Sequence, residues 1–153
     1  VQPMESFIEE WFKPLAYALI LLRREGYPCV FYGDYYGIPH DGIKGMKQTL
    51  DKLMKLRKTK AYGEQHDYFD DPDCIGWSRE GDKDHKDSGL AVVMSDGRGG
   101  TKRMYIGRQF AGKHFSDILG NAKYNIKIDE EGFGEFYVNR AAAAVWVRRE
   151  PKA

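Results

Sequence analysis

The run Tyr62-Gly63-Glu64-Gln65-His66-Asp67-Tyr68-Phe69-Asp70-Asp71-Pro72-Asp73 is dense in oxygen donors. Hard cations such as calcium bind clustered carboxylates together with backbone carbonyls, so the run offers a cation site. Its spacing does not fit an EF-hand loop. Asp also favours turns, because its side chain bonds nearby backbone, and from spacing alone a polar connection between two structural units is the better reading. A further carboxylate, Asp34, lies in Glu25-Gly26-Tyr27-Pro28-Cys29-Val30-Phe31-Tyr32-Gly33-Asp34-Tyr35-Tyr36-Gly37. The pattern is a helix stop, a short apolar strand and an acid at the strand's C-terminal end, where barrel enzymes place working groups. One carboxylate is not a mechanism, since glycoside hydrolysis takes a pair at a set separation. A structural role for Asp34 is the better reading.

Other chemistry is weaker. Asp96-Gly97-Arg98-Gly99-Gly100-Thr101-Lys102 resembles a phosphate loop but lacks the P-loop spacing and its following helix, and reads as a hairpin turn. His40, His66, His85 and His114 show no HExxH spacing, and Ser88-Gly89 is not part of a GxSxG elbow. The lysines of residues 44–60 read as a solvated helix face. Tyr35, Tyr36, Trp77 and Trp146 are the aromatics able to stack on sugar rings. Each Trp also sits in a strand-like pattern, where core packing is the default.

The elements that would position these residues divide near residue 62. Before it, Pro14 opens an apolar helix over residues 15–24, as proline at a first turn does at no cost. Gly26 and Pro28 stop that helix, Cys29 to Tyr32 read as a buried strand, and Ile43, Met46, Leu50, Leu53 and Leu56 recur at helical spacing. Helix, strand, helix is a piece of an alternating β/α fold; one parallel strand lacks neighbours, and a whole barrel takes about 250 residues. After residue 62 the period becomes two, with turns at regular intervals, which suggests a small antiparallel sandwich or Greek-key barrel. Strands are expected at residues 90–95, 103–106, 124–128, 134–138 and 143–147.

The chain has 153 residues, 42% hydrophobic and 31% charged, with a net charge of +1. That balance argues for neither nucleic acid nor membrane, and no apolar run reaches the length of a membrane span. Two cysteines are too few for a disulfide framework, and Cys29 reads as a buried thiol. The opening Val1-Gln2-Pro3-Met4, without an initiator Met or signal peptide, reads as a processed product or a fragment. The compartment stays open.

Several long stretches together resemble the bacterial liquefying α-amylases of glycoside hydrolase family 13. They are residues 11–18, Gly26-Tyr27-Pro28 with Phe31-Tyr32-Gly33-Asp34, residues 61–63 and 65–70, residues 76–82, Ser88-Gly89-Leu90-Ala91, Asp96-Gly97 with residues 99–102, and Asp117-Ile118 with Gly120-Asn121. The resemblance covers nearly the whole chain and matches the C-terminal part of those enzymes. It implies an α+β chain. Residues 1–61 would be the last helix, strand and helix of a (β/α)8 catalytic barrel, and residues 62–153 an antiparallel Greek-key β domain packed on it. Gly26, Pro28, Tyr32, Gly33 and Asp34 would be the barrel's eighth-strand motif, part of its frame. The catalytic Asp/Glu/Asp would lie on earlier strands, leaving no catalytic residue here. A calcium ion would bridge the two units, held on this side by the carboxylates of Asp73 and Asp96 and the carbonyl of Pro72, where the family commonly has His. The implied parent activity is retaining endo-hydrolysis of α-1,4-glucan in starch, by a family often secreted, with this chain structural and inactive alone. The expected partner is a complementary N-terminal amylase fragment, or a second copy through exposed apolar faces. The alternative is a carbohydrate-binding module that holds α-glucan through Tyr35, Tyr36, Trp77 or Trp146.

Overall fold

The structure, a computed structural model, describes residues 8–150. Strand β3 (Leu90–Ser95, LAVVMS) is buried along its whole length, and β8 (Ala142–Arg148) along all but its ends. Both read as continuous apolar runs because both of their faces are covered. They pair antiparallel at the centre of a six-stranded sheet of order β1-β2-β3-β8-β5-β6. The other members are β1 (Gln65–Asp71), β2 (Cys74–Arg79), β5 (His114–Asp117) and β6 (Ile126–Lys127). A separate antiparallel ribbon joins β4 (Gly100–Tyr105) to β7 (Phe133–Val138).

Alternation along the central strands sends side chains to two cores. Val92, Met94, Val145 and Val147 face helices α1 (Lys13–Leu22) and α3 (Lys47–Thr59), packing with Leu15, Ala18, Leu22, Leu50, Leu53 and Leu56. Ala91, Val93, Ala144 and Trp146 face the ribbon, packing with Met104, Phe136 and Val138. The result is a mostly antiparallel β structure with a helical layer on one side of the main sheet and the ribbon on the other.

Four expectations need correction. Residues 29–32 form no strand. Phe31 is extended, but among the described residues the segment has no strand partner, and Tyr32–Tyr36 winds into the short helix α2. A parallel strand without neighbours leaves its backbone groups unpaired; here the Phe31 N–H donates to the Tyr17 hydroxyl at 3.2 Å. Cys29 is accordingly exposed, not a buried thiol. The loop 96–99 is not a hairpin turn, since β3 pairs with β2 and β8 while β4 pairs with β7; it carries the chain from one sheet to the other. The acidic run read as a polar connection is largely strand β1, hairpinned to β2 through Pro72 and Asp73.

β1 also carries a charge that anchors the ribbon. Lys102 of β4 is only 8% exposed, and its ammonium donates to Asp70 Oδ1 at 2.7 Å. That bond holds the Asp70 carboxyl below the usual carboxylate range. A depressed folded-state value contributes stability above the unfolded pKa of roughly 3.9, lost as pH falls through the folded value. Asp70→Asn is therefore expected to lower Tm near neutral pH and to flatten the loss of stability on acidification. Thermal unfolding between about pH 3 and about pH 7 checks this, and parallel Tm curves for the two proteins would count against it.

Candidate functional site

The hairpin turn after β1 and the crossover after β3 meet at one edge of the molecule. Pairing of Cys74 with Ser95 sets Asp73 and Asp96 side by side across the β2–β3 ladder, where the Asp96 N–H donates to the Asp73 carbonyl at 3.4 Å. Asp71, Asp73 and Asp96, all exposed, line a single open cavity of about 590 Å³ together with residues 97–102. Asp71 Oδ1 accepts the Asp73 N–H at 2.9 Å. The crossover is held from within, because the Ser95 hydroxyl donates to the Arg98 carbonyl and accepts the Gly97 N–H at 3.2 Å. Gly99 has no room for a side chain, as a Cβ would lie 2.4 Å from the Val138 carbonyl oxygen. The lining also carries two cations, the Lys102 ammonium, which is engaged by Asp70, and the Arg98 guanidinium.

This donor set is all oxygen and negatively charged, which fits a hard cation such as calcium. Three carboxylates and nearby carbonyls are fewer than the six to eight oxygens calcium takes, so water or another segment would complete the shell. Of the sequence-picked ligands, Asp73 and Asp96 share this cavity and Asp71 joins them, whereas Pro72 sits in the turn before Asp73 and does not line it.

Asp34 is placed differently. Its Oδ1 takes the Lys13 ammonium at 2.9 Å and its Oδ2 the Tyr17 hydroxyl at 2.5 Å, while its carbonyl accepts the Met46 N–H at 2.7 Å. It thus ties α1, α2 and the lead into α3 together. Burial, then the Asp34 bond, pushes the Tyr17 phenol up, and Asp34 first of all pushes the Lys13 ammonium up. A Cβ on Gly33 would lie 2.6 Å from the side chains of Ile38 and Phe31, which would have to shift to admit it. Gly26 has φ +88°, Pro28 follows in the coil, and Tyr32 opens α2 exposed.

Of the aromatics picked for sugar stacking, Trp77 and Trp146 are 0% exposed. Their indole N–H groups donate inward, to the Leu22 carbonyl at 3.3 Å and the Tyr137 carbonyl at 3.2 Å. Tyr35 is half-buried and donates to Asp51 Oδ1 at 2.7 Å. Only Tyr36, 61% exposed, presents a ring to solvent, packed against Tyr32 and Tyr35 at 4.7 and 4.6 Å between centroids. A glucan-binding surface built on these four is not favoured. Sequence reading passed over a further convergence, that of Glu64 and Glu80 on His66. Its signal was the i, i+2 spacing of Glu64 and His66, which puts both on one strand face.

Residues 90–147 match the family model described as α-amylase C-terminal. The α-amylase of Geobacillus stearothermophilus is 53% identical over 149 residues, spanning 97% of this chain and 27% of that protein. The glucan 1,4-α-maltohexaosidase of Bacillus sp. strain 707 is 51% identical over 148 residues, covering 97% and 29%. The α-amylase of Bacillus licheniformis is 51% identical over 151 residues, covering 97% and 30%. Among solved structures, an Anoxybacillus α-amylase superposes with TM-score 0.62 at 15% identity, over 92% of this chain and 32% of that one. The α-amylase of Geobacillus thermoleovorans in complex with acarbose gives 0.59 at 15%, over 91% and 33%. The chain therefore spans less than a third of the length of the curated relatives it matches.

Proposed function

We propose, from the premise that this chain belongs to the α-amylases as their C-terminal portion, that it is the structural, non-catalytic part of a starch hydrolase. The parent reaction is retaining endo-hydrolysis of α-1,4-glucan. It needs an acid and a nucleophile about 5–5.5 Å apart on a rigid frame, and residues on earlier elements would supply them. Residues 1–61 would close the catalytic barrel, and the antiparallel sheet would brace it.

The observation that supports this reading is an apolar side of the helical layer that no described residue covers. Ile8, Ala16, Ile20, Phe31 and Ile43 line an open cavity of about 410 Å³, and Ile8, Ile20 and Phe31 are exposed. Beside them runs the irregular segment 27–31, extended at Phe31, with no strand partner among the described residues. An apolar surface with an unpaired segment is what the last elements of a barrel present when the preceding strands are not beside them. The expected occupant is the N-terminal catalytic portion; self-association through the same face is the competing outcome. Calcium would be held by the carboxylates of Asp73 and Asp96 and the carbonyl of Pro72, cross-linking the β domain to the barrel.

The test is reconstitution. The purified chain should release no reducing sugar from amylose. Co-expression with the N-terminal portion should give a calcium-dependent complex that does. Asp96→Asn should weaken the calcium dependence of that complex on the order of tenfold, since affinity follows the count of charged ligands. Sugar released by the chain alone, or failure to capture the N-terminal portion, would overturn the reading.

A further inference from the structure

Glu64, His66 and Glu80 converge away from the aspartate cavity. Glu64 and His66 lie two residues apart where the edge strand β1 begins, and Glu80 follows β2 directly across from them. The Glu80 N–H donates to the Glu64 carbonyl at 3.0 Å, which extends the β1–β2 ladder past its last paired residues. His66 Nε2 stands 2.7 Å from Glu80 Oε2, and one donor atom from each of the three residues lies within 4.8 Å of the others.

The surroundings hold this arrangement in place. The His66 ring packs edge-on against Tyr105, with centroids 5.4 Å apart at 81°. The side chains of His66 and Glu80 are 28% and 21% exposed, so both are partly desolvated yet open to an ion. The Glu80 carbonyl accepts the Gln109 side-chain N–H at 2.8 Å. Gly63 and Gly81 flank the trio in close contact. A Cβ on Gly63, at φ +85°, would lie 2.1 Å from the Gly81 oxygen, so the two strand ends are fixed relative to each other.

We propose that Glu64, His66 and Glu80 form a transition-metal site that takes zinc(II). An imidazole with two carboxylates is a mixed nitrogen and oxygen set, suited to zinc and its first-row neighbours, whereas calcium selects oxygen alone. Zinc–nitrogen and zinc–oxygen bonds of about 2.0–2.2 Å place tetrahedral ligand atoms about 3.4 Å apart. The His66–Glu80 separation opens by a fraction of an ångström to reach that value. Glu64, which is exposed and free to reorient, closes in from the 4.8 Å range. Three protein ligands leave the fourth position to water, the arrangement of an open zinc site. The ion joins the start of β1 to the end of β2 and so closes the open end of the outer hairpin, stabilising the folded chain by mass action.

Cobalt(II) titration of the calcium-loaded full chain tests this, followed by displacement with zinc(II). The expected result is the intense visible band of four-coordinate cobalt at one equivalent, removed by zinc. Loss of an outer-shell partner alone costs about 10–100-fold in affinity. Removal of a direct ligand, in His66→Ala or Glu64→Gln, should therefore weaken zinc binding at least about tenfold. Glu64 is exposed, so Glu64→Gln decides the matter if His66→Ala unfolds. His85→Ala removes a second histidine paired with a carboxylate, Asp82 at 2.7 Å, and should leave zinc affinity unchanged. The proposal is overturned if no four-coordinate band develops, or if zinc affinity is equal in the parent, His66→Ala and Glu64→Gln.

Discussion

Trp77→Ala is expected to lower the free energy of unfolding by about 3–5 kcal/mol, the range for deleting a large buried aromatic. Trp77 sits in β2 with none of its surface exposed, in the core that α1 and α3 share with the main sheet. Its indole N–H caps the carbonyl of Leu22, the last residue of α1, at 3.3 Å. The Arg23 guanidinium lies 5.4 Å from its ring and also forms a two-pronged bond to Asp67 of β1 at 2.8 and 3.0 Å. One side chain thus fastens the C-terminal end of α1 to the sheet. Truncation removes apolar contact, leaves a cavity and strips a partner from a helix-end carbonyl. Trp77→Phe keeps most of the packing and loses the hydrogen bond, and should cost about 1–2 kcal/mol. Urea unfolding of the three proteins measures both. A loss under about 1 kcal/mol for the alanine variant would mean that the helical layer does not dock on this face.

The same residue shows why part of the fold was legible and part was not. Ile75-Gly76-Trp77 reads as strand from its residue types, and core packing is the default for a Trp in such a pattern; which core it enters depends on α1, brought there by a long-range fold. β3 and β8 were plain because an apolar run with no polar break must be covered on both faces. α3 was plain because Leu50, Leu53 and Leu56 mark one helical stripe. β5 gave almost no signal: of His114, Phe115, Ser116 and Asp117, only Phe115 is fully buried. Strand pairing was the least accessible. Adjacent strands 90–95 and 103–106 invite a hairpin, yet the pairing is settled by Met104 and Phe136 meeting over the opposite face of the sheet. The site followed the same division. Asp73 and Asp96 were reached through resemblance, whereas Glu80 joins Glu64 and His66 only through the β1–β2 register.

Asp117→Ala is expected to cost about 2–4 kcal/mol, because one carboxylate terminates four backbone donors. Asp117 Oδ1 accepts the N–H groups of Leu119 and Val145, each at 2.9 Å, and Oδ2 those of Asn121 and Ala122 at 2.7 and 2.9 Å. The side chain closes the turn after β5 and ties it to β8. Alanine leaves those donors without acceptors where Ala122 and Val145 are buried. Burial pushes the Asp117 carboxyl above its ordinary range, outweighing the four bonds that pull it down. A raised folded-state value contributes stability that is full below the unfolded pKa and is lost as pH rises through the folded one. Asp70 and Asp129 have the opposite sign, since Lys102 holds the first down and the Phe133 N–H the second. On acidification Asp117 therefore offsets part of what those two lose. Asp117→Asn removes the offset, so between about pH 6 and about pH 4 its stability should fall more steeply than the parent's. A shallower slope would mean that the four N–H bonds outweigh burial and that the carboxylate is held ionised.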